Sequence, residues 1–234
     1  MSADEVERGT PTAGPAKGRI TDRDHEIVRY IGRHGLVSAE QVQRDCMATA
    51  GPHVVRRRLR MLEGFGLVRR ERTWWLGPKV VMATARGLRV VGLPGRPAKV
   101  HLPLVPHRLA VVDLAAALTA RYLDAAWLTE REIGSTWARR ERQLPRHLPD
   151  GVLVVGERRI AVELELTVKR PLERLYKVLG EYQRRLRLRD DMRIDGVWYL
   201  VEDTPAGEKL RPVLERVISE RGLSKWVEVQ TWNR

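Results

Sequence analysis

The chain has 234 residues, a formal net charge of +13 and a single cysteine. That length serves one large or two small domains, and the lone Cys46 excludes an intrachain disulfide and a cysteine-based zinc site. The sequence shows no run of about 18 apolar residues of the kind that spans a bilayer.

The charge is uneven. Residues 1–100 carry 19 basic and 10 acidic side chains, and residues 101–234 carry 24 and 20. The N-terminal part is therefore the one that faces a polyanion, with nucleic acid the first candidate. Only 7 of the 43 basic residues are lysine, the pattern of a GC-rich genome, so placement rather than arginine count has to carry the argument.

Residues 1–19 start acidic and continue rich in Pro, Gly and Ala, without the basic start and apolar segment of a signal peptide. They are read as a disordered leader on a cytoplasmic protein that associates with the nucleoid or a plasmid. Residues 20–95 then read as a winged helix-turn-helix. "TDRDHEIVRYIGRHG" has capping candidates in Thr21 and Asp22, Ile27, Val28 and Ile31 on one face, and a stop at Gly35. "SAEQ" from Ser38 is a capping box that opens a second helix, with Cys46 as a core residue near its end. "PHVVRRRLRMLEGFG" begins a third at Pro52.

On that third helix Val55, Leu59 and Leu62 share one sector, and His53, Arg56, Arg57 and Arg60 lie opposite. The apolar stripe is expected to pack inward and the basic one to enter a DNA groove. Two strand-like runs, Leu67–Arg72 and Lys79–Ala83, follow around Trp74, Trp75 and Pro78; they form the expected wing, with Arg69, Arg70 and Arg72 set for phosphates.

Residues 96–106 fall in a stretch, 92–106, with four prolines and two glycines, read as a linker. From 107 to 234 the elements alternate as α-β-β-β-α-β-α-β, which predicts an α/β domain with a mixed sheet and helices on its faces. "AWLTEREIG" is the first of these strands, and the apolar "VVDLAAALTARYL" helix is either core or a homodimer contact.

The strand "RRIAVELELTVK" alternates Val162, Leu164, Leu166 and Val168 with Glu163, Glu165, Thr167 and Lys169. A turn centred on Glu157 and Arg158 would set Asp150 opposite Glu165, with Glu163 on the diagonal. Three carboxylates this close raise one another's pKa unless a cation neutralises them, and hard oxygen donors suit Mg²⁺ or Mn²⁺. Glu130, on the alternation Leu128, Glu130, Glu132, is the first candidate for a further acid, and Asp113 the second.

"LPDGVLVV" followed by "AVELELTVK" resembles the PD-(D/E)xK nuclease superfamily, a restriction-endonuclease-like α-β-β-β-α-β core. With the N-terminal winged helix and "HRLAVVDL" and "WLTEREI" upstream, the chain is similar to the replication-relaxation family of plasmids and mobile elements. The resemblance implies that Asp150 and Glu163 are metal ligands for phosphodiester hydrolysis, to which the reading of the strands adds Glu165 and Glu130. Together these readings give a catalytic set of Asp150, Glu163, Glu165 and Lys169. Glu165 stands where the superfamily has lysine, and Lys169 on the same strand or Lys177 on the next helix are the replacements. Two readings stay open: a metal-dependent DNA-cleaving or nicking enzyme acting on double-stranded DNA, and an inactive nuclease-like regulator that binds it.

Overall fold

The structure, a computed structural model, describes residues 19–74, 77, 79–141, 147–166, 172–188 and 193–233. The leader up to residue 18, Trp75 and Pro78 of the wing loop, Lys169 and Arg189 lie outside the described residues.

Three helices open the chain, α1 (Asp22–His34), α2 (Ala39–Cys46) and α3 (Pro52–Gly64). Their ends follow local chemistry. Asp24 Oδ2 accepts the Thr21 backbone N–H at 2.7 Å, and Gly35 closes α1 at φ 79°. Ser38 Oγ accepts the Gln41 N–H at 3.2 Å while Gln41 Oε1 accepts the Ser38 N–H at 3.0 Å, a reciprocal cap. Asp24 is buried and held by Arg58 of α3, which joins the first and third helices. β2 (Val68–Arg72) and β3 (Lys79–Ala83) form an antiparallel hairpin. Two further elements, unanticipated from sequence, complete this module: β1 (Val37–Ser38), which pairs with the far edge of β3, and α4 (Ala85–Val90). Ile27, Val28, Ile31, Val42, Val55, Leu59, Leu62 and Leu67 are its core.

A short 3₁₀ turn (Leu102–Leu104) leads into α5 (Val105–Arg121), which starts two residues before His107. The rest runs β4 (Ala126–Thr129), α6 (Glu130–Glu141), β5 (Gly151–Val155), β6 (Arg158–Glu165), α7 (Leu172–Arg185), β7 (Gly196–Glu202), α8 (Pro205–Glu220) and β8 (Val227–Trp232). The five strands lie in the order β4-β5-β6-β7-β8, antiparallel as far as β6 and parallel beyond it. The fold is mixed α/β with two sheets.

Residues 102–121 are long and apolar enough to cross a membrane by length and composition, contrary to the sequence reading. The helix is apolar on more than one side because it serves two cores. Val105 and Leu109 pack on Leu36, Val80 and Met82 of the first module, whereas Ala110, Leu114 and Leu118 cover Leu153, Val162 and Leu200 of the large sheet. Leu179, Leu210 and Leu214 of α7 and α8 cover its other face against Ala161, Val197 and Val201.

"AWLTEREIG" is not a single strand. It ends at Thr129, and Glu130 begins a helix. Glu132 Oε2 accepts both the Thr129 N–H and the Thr129 Oγ1–H at 2.9 Å, so Thr-x-x-Glu is a capping box that overrides the apparent alternation. The same carboxylate takes Arg33 Nε of α1 at 2.7 Å, and Arg33 Nη2 also donates to the Trp127 carbonyl at 2.7 Å. Asp113, the second candidate for the extra acid, is used elsewhere: it accepts from Gln41 at 2.8 Å and Arg44 at 2.7 Å, tying α2 to α5.

Glu132 and Arg33 are each about one-third solvent-accessible, so screening leaves their ion pair a small term and the cap the larger one. Glu132→Ala should lower the unfolding free energy by about 1–2 kcal/mol through the lost cap. Glu132→Gln, which can still accept from Thr129, should cost less than half as much in the same urea titration. Equal losses would show that the ion pair dominates.

Candidate active cleft

β5 and β6 meet at a turn whose first central residue, Gly156, has φ 57° and whose second, Glu157, does not have positive φ. That is the pattern of a two-residue II′ hairpin turn, which calls for glycine at this position. The ladder then runs Val155↔Arg158 to Gly151↔Val162. Continued by one pair, it sets Asp150 opposite Glu163. The expected turn at Glu157 and Arg158 is one residue too far along, and Glu165 is not the partner of Asp150. The next residue, Gly151, leaves room for the Trp127 indole, since a Cβ there would lie 1.9 Å from its Cζ2.

The face of β6 expected to be polar is also covered. Glu163 is 6% exposed, in register with Tyr199 on β7. His147 Nε2 lies 2.5 Å from Glu163 Oε1, and the Tyr182 hydroxyl of α7 donates to the same oxygen. Burial, the largest influence, raises the Glu163 pKa and Asp150 adds to it, while His147 and Tyr182 oppose them. Asp150 is held from two sides: His107 Nε2 on α5 lies 2.8 Å from Oδ1, and Leu164 N–H donates to Oδ2 at 2.8 Å.

Glu130 lies near Asp150 although it sits on a helix rather than a strand and is itself exposed. Protein crowding around its carboxyl raises its pKa, and the charge of Asp150 raises it further, against Arg108, His107 and His147. Glu165 also lines the cleft. Among the described residues no three His, Cys, Asp or Glu side chains are arranged to hold a metal ion. The imidazoles of His107 and His147 stand at carboxylate oxygens instead.

These groups form the floor of a cleft of about 1160 Å³ bounded by α1, the segment 94–108, α6, the β5–β6 hairpin and α7. Its walls are basic, with Arg33, Arg96, Lys99, Arg108, Arg131 and Arg174 among the lining residues. Lys177 is exposed on α7 and does not line the cleft; Arg174, one turn earlier, does. Lys169 lies outside the described residues. His147, Tyr182 and Tyr199 at the acids, and Arg174 on the cleft wall, were missed by sequence reasoning, since each is brought there only through the third dimension. Arg184 and Arg185 do not face the cleft: both pair with Glu181, and Arg185 is buried with its guanidinium 3.4 Å above the Trp137 ring.

In the first module, α3 has the expected division. Val55, Leu59 and Leu62 are buried, while His53, Arg56, Arg57 and Arg60 are exposed. The hairpin arginines differ among themselves. Arg69 donates to Glu71 at 2.8 Å and to the Ala98 carbonyl at 2.9 Å, and Arg70 Nε donates to Glu63 at 2.8 Å. These internal partners divert two of the three residues expected at phosphates, and Arg72 alone of them is exposed. Cys46 is half-buried against the core, and burial first, then Asp45, push its thiol up to about 12, which suits packing rather than reactivity.

A family model described as replication-relaxation matches residues 28–200. Comparisons with curated proteins and with solved structures gave no match.

Burial is the largest influence on His147 and lowers its pKa, yet the net value is raised, because the Glu163 hydrogen bond and charge and then Asp150 outweigh it. In Glu163→Gln the larger opposing charge is gone and Asp150 alone stands against burial. The imidazole should therefore titrate lower than in the wild type, read from its ring-proton NMR shifts against pH. A value that stays raised would mean that Glu163 does not hold His147.

Proposed function

Since this chain belongs to the replication-relaxation family, we propose that it is a double-stranded DNA-binding protein of plasmid or mobile-element replication. In this reading residues 20–95 are a winged helix-turn-helix. The observation that carries it is α3, with three apolar residues buried and His53, Arg56, Arg57 and Arg60 exposed on the opposite side. A helix so divided places guanidinium groups on phosphates and base edges without disturbing its own core. Arg72 at the end of β2, the exposed one of the three hairpin arginines, is the wing contact.

The second part of the proposal is that residues 107–234 form a PD-(D/E)xK-like core that hydrolyses phosphodiesters with Mg²⁺ or Mn²⁺. It is favoured by Asp150 facing Glu163 at the floor of a basic cleft, and by the upward shifts of Glu163 and Glu130, part of which comes from the charge of Asp150. A cation would relieve that repulsion, so the donor set suits a hard divalent ion in kind. Asp150, Glu163 and Glu130 are the residues that would hold it, with Glu165 at the edge. When bound, the ion polarises the phosphoryl group and acidifies its water. This chain's own residues do the rest. Asp150 is fixed by the Leu164 N–H, Tyr182 and His147 orient Glu163, and the guanidinium of Arg174 takes the side of the cleft assigned by sequence to lysine. The inactive-regulator reading is favoured by a different observation: His107, His147 and Tyr182 already satisfy these carboxylates.

Replacing Arg56, Arg57 and Arg60 together by alanine should weaken duplex binding about 10-fold or more and flatten its salt dependence, because phosphate contacts release counterions. Unchanged gel shifts would remove α3 as the reader. Calorimetry should detect Mn²⁺ binding that is lost in Asp150→Ala. Supercoiled plasmid with Mg²⁺ or Mn²⁺ should be nicked by the wild type and not by Glu163→Ala. Metal binding without nicking, or neither, favours the regulator.

A further inference from the structure

We propose that the cleft takes a single unpaired strand of DNA, so that the protein engages a duplex that opens into a single-stranded segment. The duplex end of that substrate rests on the reading of α3 given above; the strand-binding end rests on the cleft alone.

Space is the first argument. At a rise of 3.4 Å per step a duplex fills on the order of 1000 Å³ for each base pair. A cleft of about 1160 Å³ therefore has room for about one pair, or about two nucleotides of one strand that threads through it. Depth is the second. Glu163 is 6% exposed at the floor, and a single strand, free to bend, follows the cleft toward it more readily than a stacked duplex does.

Charge supplies the third argument. Arg131 Nη2 donates to the Arg96 carbonyl at 2.8 Å and Arg108 Nη1 to the Lys99 carbonyl at 3.1 Å. Both acceptors are neutral, so the two guanidinium groups are positioned without losing their charge, and each keeps further N–H donors for phosphate oxygens. Arg96, Lys99 and Arg174 are exposed on the same walls. The result is a basic channel along which a backbone can run.

The test is fluorescence anisotropy of the full chain in EDTA, with a labelled oligothymidylate of about 12 nucleotides, within the usual span of single-strand sites, and with a blunt duplex. The wild type should bind both. Arg108→Ala with Arg131→Ala should weaken the oligonucleotide about 10-fold or more, as loss of two phosphate contacts implies, and leave the duplex nearly unchanged. The α3 triple variant should do the reverse. Arg108→Lys with Arg131→Lys should restore much of the single-strand affinity, which separates lost charge from a loosened segment 94–108.

A bromouracil-substituted oligonucleotide on the wild type should crosslink within residues 94–108 or 127–134. Absence of oligonucleotide binding, affinity indifferent to the cleft pair, crosslinks confined to α3, or tighter binding of an RNA oligonucleotide of equivalent sequence would each overturn the proposal. Loss of single-strand binding in the cleft pair, with duplex binding intact in the α3 triple, would instead sink the α3 reading and leave this one standing.

Discussion

One carboxylate, Glu132, ties the start of α6 to the first module. It caps α6 through Thr129 and receives Arg33 from α1. Because the cap sets where α6 begins, Glu130 becomes its first residue and faces Asp150, and Arg131 follows it toward the carbonyl of Arg96. Arg33 also reaches the Trp127 carbonyl on β4, so the same contact holds the first module against the edge strand of the sheet. Cleft floor and cleft wall thus both depend on a four-residue motif whose local role is to start a helix.

Within that frame the acids are kept by neighbours rather than by solvent. A buried carboxylate is costly unless hydrogen-bonded, and Glu163 has an imidazole and a phenol on one oxygen. Asp150 has a backbone N–H on one side and an imidazole on the other. Such fixed partners remove rotamer freedom from both acids in advance, the arrangement expected where charge must meet charge at a set position. Of the cations that line the same cleft, Arg108 and Arg131 are anchored on backbone carbonyls.

Much of the first module was legible because its ends are written in cap residues. Thr21, Ser38, Pro52 and Gly35 each act within a few residues of themselves, and the helices begin and end where those residues indicate. The opposed stripes of α3 were legible for the same reason. The mixed α/β character of the second half was legible from alternation, but two local signals were overruled wrongly. Thr129 and Glu132 spelled a helix start inside what was read as a strand, and Gly156 marked a turn one residue earlier than assumed. The rest depends on chain crossings that spacing does not encode. His147 and Tyr182 meet Glu163 from 16 and 19 residues away, and His107 meets Asp150 across 43. Nor does a basic run reveal that Arg70 is claimed by Glu63 or Arg185 by Trp137.

Helix α5 gives the architecture a further property. Its residues belong alternately to the core of the first module and to that of the large sheet, with Leu109 and Val112 on one side and Ala110 and Leu114 on the other. Neither half has a complete interior without it. The two halves therefore share an element of their cores. Gln41 of α2 donates to the carbonyl of Leu109, inside the same helix whose first turn carries His107 to Asp150. In mechanical terms α5 is a common axle, and what turns one end of it is felt at the other.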